Sequence, residues 1–481
     1  MYTTVINLLF CLFRNNNATL SFTIIENSMK HIAIIGAGLS GTLLVINLLK
    51  NARNESVRIQ LIDRNPAENL GPAYSTNEDY LLNVPVELMG AASEDPSQFQ
   101  QWARDRNATA NNGDYLPRRL YRQYIQSMLQ ETLKKDRNHE LFERIQGEVI
   151  DMEADGSCTR ILIKENRKIE TDIVVLALGN SAPKNPKIKN YAFYNSPLYV
   201  RNPWKLDILN TLKSDDSILF IGSGQTMVDL ATGLNKKNHR GTMTAISRRG
   251  LLPLSQKKVD AYPGFFEELR GQTRLLSIFQ IVRKHMREAI ETGYDIRSVI
   301  DSLRPYTINI WMQLPVDEKR RFLRHAFRYW EIIRSRIPPE SMRIIYKMQS
   351  SGQFKTVTGR IIDLIQDENT VRMQYRKRGS QIEKTVSGNI VINCMGPNQD
   401  YATIDEPLIQ NLVRKKIIQP DPAHLGINAL PDGTVIQDKG HLSENIFTIG
   451  LTLKGIVWEA LAAPEIRVQA EKLAHKILSS A

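Results

Sequence analysis

Cysteine is scarce in this chain. Its 481 residues hold only Cys11, Cys158 and Cys394, far apart, with no Cys-x-x-Cys and no Cys/His spacing suited to zinc. A disulfide framework, a redox-active dithiol and a metal site are therefore not expected, and a reducing cytoplasm fits. Long apolar runs are lacking as well. Val5–Phe13 is apolar but too short to span a bilayer, with no basic segment before it and no small-residue cleavage site after it. Neither stable membrane insertion nor a secretory leader is expected. Residues 1–28 read as a disordered extension or a non-native upstream start, because Met29 stands directly before a well-formed strand. Acidic residues are the minority charge, 51 against 63 Lys and Arg, for a net +12. The excess gathers in Lys319–Arg343, but no nucleic-acid module is legible. That stretch reads as a solvated helix face beside a site that handles phosphates.

What the chain does have is glycine in pattern. The apolar run His31–Ile35 meets Gly36-Ala-Gly38-Leu-Ser40-Gly41, then a helical apolar pattern, then the strand Val57–Asp63. This is the opening of a dinucleotide-binding unit. Gly36 makes the tight turn, Gly38 lets backbone approach a pyrophosphate, and Gly41 lets helix pack closely on strand. The helix N-terminus offers unpaired N–H groups and a positive dipole end to phosphate. Asp63, closing the second strand, is placed to accept from ribose hydroxyls.

The pattern returns at Gly222-Ser-Gly224-Gln-Thr-Met227, with methionine where the third glycine stood. The strand that follows, Thr242–Ser247, ends in Arg248-Arg249 instead of an acid. A guanidinium there can grip a 2′-phosphate, which favours NADPH over NADH. A second repeat supports the pairing. Gly147-Glu-Val-Ile-Asp151 opens a small β-meander that closes on an apolar strand ending in Gly179, and Gly359-Arg-Ile-Ile-Asp363 opens another closing at Gly396.

The expected fold is α/β, with two Rossmann-like dinucleotide-binding domains, the NAD(P) domain inserted into the FAD domain, and a helical insert. The units are 29–203 (FAD, first part), 204–397 (NAD(P), with the insert at about 263–350) and 398–481 (FAD, C-terminal part). Insert residues His325, Tyr329, Trp330, Arg334 and Arg336 read either as helix packing or as a cap over the site.

Two such fingerprints, each closed by a strand like Asp172-Ile-Val-Val-Leu-Ala-Leu-Gly179, resemble the flavoproteins of the glutathione-reductase structural class. Further segments are similar to a bacterial family of FAD/NAD(P)-binding proteins related to the N-hydroxylating flavin monooxygenases. These are Gly71-Pro-Ala-Tyr74, Leu82-Asn-Val-Pro85, Tyr115-Leu-Pro-Arg118, Ser247-Arg-Arg-Gly-Leu-Leu-Pro253, Asn445-Ile-Phe-Thr-Ile-Gly450, Trp458-Glu459 and Ala463-Pro-Glu-Ile-Arg467. The resemblance implies FAD on Gly36, Gly38, Ser40, Gly41, Asp63, Asn83, Val84, Gly179 and Gly450, and NADPH on Gly222, Gly224, Arg248 and Arg249. It implies a small-molecule substrate and oxygen as partners, and no nucleic acid. Leu451 stands where the reductase class carries an acid after the glycine, so Lys454, Gly455, Trp458 and Glu459 are read either as bordering the flavin or as packing. Catalytic residues and oligomeric state are not legible. An FAD monooxygenase, a flavin reductase and a non-catalytic redox sensor all fit these motifs; the resemblance to N-hydroxylating relatives, with no dithiol and no metal site to take electrons onward, favours the first.

Overall fold

The computed structural model describes residues 29–479 except 53–56, 66–69, 72, 75–79, 136–137, 156–157, 205–207 and 460–461. The 1–28 segment, Cys11 and Pro72 lie outside the described residues.

Two parallel sheets carry the molecule. The first has the strand order Thr434–Ile436, Leu442–Thr448, Ile173–Leu176, Lys30–Ile35, Val57–Asp63, Phe142–Gln146, parallel except for its first pair. Ile34 sits between Leu61 and Val175 in register. Buried on both faces, its central strands are continuous apolar runs, as a parallel sheet requires. Side chains alternate across it. Ile32, Ile34 and Val175 join a core with the helices Leu39–Asn51 and Ala463–Ser479. Ala33, Ile35, Val174 and Leu176 face a second core built from the meander Val149–Thr171 and the helix Pro407–Arg414.

The second sheet runs Phe354–Thr358, Met243–Ser247, Ile218–Ile221, Ile390–Asn393, Tyr199–Val200, parallel throughout. The chain thus leaves the first sheet after Leu176, builds the second, and returns to the first at Thr434. Tyr199–Val200, ahead of residue 204, already pairs in the second sheet. The internal repeat extends to detail. Both meanders carry a register irregularity at the same point, Val149/Asp151 and Ile361/Asp363. In each, the aspartate side chain accepts the next residue's N–H, Met152 at 2.9 Å and Leu364 at 3.0 Å.

Helices from Phe266 to Arg334 form their own apolar cluster, which also takes in Leu425 and Trp458 from the returning chain. The last helix of the 263–350 segment, Pro339–Ser350, behaves differently. Its Met342, Ile345 and Met348 join the second sheet's core, and it serves as the crossover into Phe354–Thr358. The reading of Lys319–Arg343 as a solvated face holds for Arg320, Arg321 and Arg324, which are exposed. It fails for Arg336, which is 5% exposed and paired twice to Asp301 at 2.9 Å. A buried guanidinium must be paired; helical spacing alone does not reveal which arginines turn inward.

Among the described residues no helix is long and apolar enough to cross a membrane, and no group of three or more His, Cys, Asp or Glu could hold a metal ion.

Candidate functional site: two glycine turns

Gly36 has φ +111°, and a Cβ there would overlap the Ala177 carbonyl oxygen. A Cβ on Gly41 would overlap the Gly36 carbonyl oxygen. These two glycines are required by the polypeptide itself, before any ligand is considered. Gly38 is different. Its φ is −67°, and the nearest atom to a built Cβ is the Leu70 carbonyl oxygen at 3.9 Å. Space is left in front of the Leu39–Asn51 helix N-terminus.

Asp63 accepts from Ala37 N–H at 2.8 Å and from Asn65 N–H at 2.9 Å. Its carboxylate therefore holds the glycine turn, with lone pairs remaining for a ribose. The late strand Leu442–Thr448 delivers Gly450, φ +81°, against Ser40; a Cβ on Gly450 would overlap the Ser40 hydroxyl. Gly450 N–H donates to Gln469 Oε1 at 3.0 Å, while Gln469 Nε2 is buried without a partner. A buried donor with no partner, on the side chain that holds Gly450, fits a polar cofactor group.

Gly36, Ser40, Gly41, Asp63 and Gly450 are thus brought together. Gly179, φ +64°, lies two residues past Ala177, exposed, with nothing near a built Cβ. Asn83 offers its carbonyl to Gln256 Nε2 at 3.3 Å, and Val84 packs against the first core. Among the described residues neither hydrogen-bonds to the glycine turn.

The second turn repeats the geometry. Gly222 has φ +107°, and a built Cβ lies 2.7 Å from the Cys394 carbonyl oxygen. Met227 is fully buried in the place of the third glycine. Ser223 Oγ sits 2.9 Å from Ser247 Oγ and 2.7 Å from the Leu251 carbonyl oxygen. Arg248 is exposed and makes no hydrogen bond or ion pair among the described residues. Arg249 is not open: it donates to Tyr329 Oη at 2.9 Å and to the His325 carbonyl oxygen at 3.1 Å, with its guanidinium 4.6 Å from the Tyr329 ring centre. The helix Phe327–Arg334 therefore lies over the second turn. Gln225 Nε2 adds a bond to the Ser335 carbonyl oxygen at 3.2 Å.

A small cleft opens where the strand ends meet, lined by Asn180, Ser181, Trp204, Thr226, Asn393 and Gly396 among others. Beside it, Arg118 joins Asp229 at 2.8 Å, both largely buried. Burial pushes the Asp229 carboxyl up to about 6 against the pull of Arg118. Lys454 is 7% exposed, its ammonium 5.4 Å from the ring centres of both Phe327 and Trp458. Burial brings its amine down to about 8, opposed by Glu331. Trp458 stacks on Trp311 at 4.3 Å and Glu459 pairs with Arg334 through Nε at 2.8 Å.

Sequence reasoning missed Leu70, Gln469, Asp229 and Arg328. Gly71, Arg118 and Asp229 stand in motif segments without a role of their own, and the partner of Asp229 is far off in sequence; Leu70, Gln469 and Arg328 carry no local signal, since each meets a turn remote in sequence.

Residues 33–181 match the sequence model of a family described as FAD-NAD(P)-binding. The first glycine turn thus lies in an FAD-NAD(P)-binding domain, and the whole chain has the fold of two-domain FAD/NADP flavoproteins. It is similar to the ornithine N-hydroxylase of Kutzneria sp. 744, solved with reduced FAD, NADP+ and L-ornithine, at 12% identity and TM-score 0.65, covering 93% of this chain and 98% of that one. It is similar to the FAD-bound cadaverine monooxygenase of Erwinia amylovora, at 13% identity and TM-score 0.62, covering 93% and 94%. The bacillithiol disulfide reductase of Bacillus cereus is also similar, at 13% identity and TM-score 0.52, covering 94% and 99%. No curated protein matches the chain.

Proposed function

We propose that the protein is a cytoplasmic FAD-dependent NADPH oxidoreductase, and specifically a monooxygenase that hydroxylates a small molecule. FAD lies on Gly36, Gly38, Ser40, Gly41, Asp63 and Gly450, with Asn83, Val84 and Gly179 bordering it; NADPH lies on Gly222, Gly224, Arg248 and Arg249. When bound, the pair supplies hydride transfer to flavin and flavin-borne activation of oxygen. The chain's part is to orient the two cofactors across the strand-end cleft and to limit water there, with the helix Phe327–Arg334 leaning over the second turn.

The observation that carries the choice is Cys394. Disulfide reductases share this fold, but here the thiol beside the second turn is 4% exposed, and burial, then Asp229, push it well above its usual value. Such a thiol stays protonated and inert. Oxygen is then the acceptor the site supports best.

The test begins with a spectrum of purified protein and anaerobic NADPH addition. Retained FAD that bleaches, followed by oxygen uptake that a screened amine, thiol or aromatic acid accelerates, supports the reading. Reduced protein that survives in air for hours yet reduces a ferredoxin or a quinone makes it a flavin reductase instead. FAD that stays oxidised under NADPH makes it a redox sensor.

A further inference from the structure

The second glycine turn has a feature the first lacks. The space that a Cβ on Gly224 would face is bounded by the guanidinium of Arg328, with Nη1 3.6 Å and Nη2 4.0 Å from the built position. That is the place where the second glycine of such a turn admits the pyrophosphate. Arg328 belongs to the helical insert, far from the turn in sequence.

Its plane is held in place. Nη2 donates to the Ser223 carbonyl oxygen at 3.1 Å and the Leu251 carbonyl oxygen at 3.0 Å, and lies 3.3 Å from Ser223 Oγ. Nη1 donates to Glu331 at 2.6 Å, three residues along the same helix. The two side chains are 24% and 35% exposed, so this ion pair is partly solvated and of modest strength. A pyrophosphate offers the same guanidinium more charge and bidentate geometry. Glu331 is not stranded by the exchange, because it already acts electrostatically on Lys454.

We propose that Arg328 is the pyrophosphate ligand of the second dinucleotide turn, supplied by the helical insert, and that Glu331 occupies its guanidinium until the nucleotide arrives. The assignment rests on the reading of that turn as a nucleotide site. It makes the insert part of the binding site, since the nucleotide then bridges the Gln225–Lys236 helix and the Phe327–Arg334 helix.

Calorimetric titration of the FAD-loaded, oxidised protein with NADP+ and NAD+ tests this without turnover. Arg328→Gln is expected to weaken both nucleotides by the same factor, on the order of ten- to a hundredfold, because the pyrophosphate is common to them. Glu331→Gln is expected to tighten both, a change of opposite sign that a merely destabilised fold does not produce. Arg248→Ala is expected to weaken NADP+ alone. Unchanged affinity in Arg328→Gln, or a loss confined to NADP+, overturns the assignment, the latter placing Arg328 on the 2′-phosphate. If Arg328→Gln does not fold, unchanged or weaker binding in Glu331→Gln overturns it. If the wild-type protein binds neither nucleotide, the reading of the turn fails first, and the role of Arg328 with it.

Discussion

Arg118 Nη2 donates to Asp229 Oδ2 at 2.8 Å, tying the Arg118–Leu133 helix of the first core to the helix that follows the second glycine turn. Arg118 also donates from Nε to the Leu81 carbonyl oxygen at 3.2 Å, so one side chain spans both units. The folded Asp229 carboxyl, at about 6, lies above the 3.8 of an unperturbed aspartate. The folded state therefore binds this proton more readily, and stability from its titration grows as pH falls from about 6 toward about 4. Asp229→Asn should erase that component of a urea-unfolding pH series. Arg118→Met should lose roughly 3 kcal/mol at neutral pH by leaving a buried carboxylate unpaired, with the loss shrinking as pH drops. A pH-independent loss sinks the pairing.

The glycines of the first turn divide into two kinds. Gly38→Val has room in the chain and should fold with an unfolding midpoint near the parent's, but purify without the yellow of bound FAD. Gly36→Ala and Gly41→Ala meet backbone oxygen and should be lost to insolubility or unfold early. A Gly38→Val protein with stoichiometric FAD removes the cofactor from this turn.

Arg248, free and exposed, is the better candidate for the 2′-phosphate, since Arg249 is engaged by Tyr329 and His325. Arg248→Ala should weaken NADPH by on the order of tenfold or more and leave NADH nearly unchanged, in steady-state or binding measurements. Equal use of both nucleotides by the unmutated protein refutes the preference.

Lys454 carries a buried ammonium whose amine sits at about 8, below its usual 10.5. A lowered folded value means the folded chain releases this proton first, so stability rises as pH climbs from about 8 toward about 10. Lys454→Met should raise the thermal midpoint at pH 7, and the gain should fade by pH 10. A gain that persists at pH 10 assigns the effect to packing alone.

Sequence by itself determined the two glycine turns, the strands around them, the insertion order and the repeated meanders. Each is written in adjacent residues: a backbone that needs positive φ takes glycine, a buried parallel strand takes an unbroken apolar run, and both repeat at recognisable offsets. Even the equivalence of Asp151 and Asp363 was visible as matching pentapeptides. Tertiary structure alone decided which side chains meet across those elements. Nothing near Arg328 in sequence points to Gly224, nothing near Gln469 points to Gly450, and helical spacing cannot tell a solvated Arg324 from a buried Arg336. Tyr329 read as packing or as a cap and Arg249 as a phosphate grip, and only the fold shows that the two bind each other. Local pattern records what a backbone can do at one place; a contact between distant segments depends on how whole helices and sheets pack, and that is a property of the assembled fold.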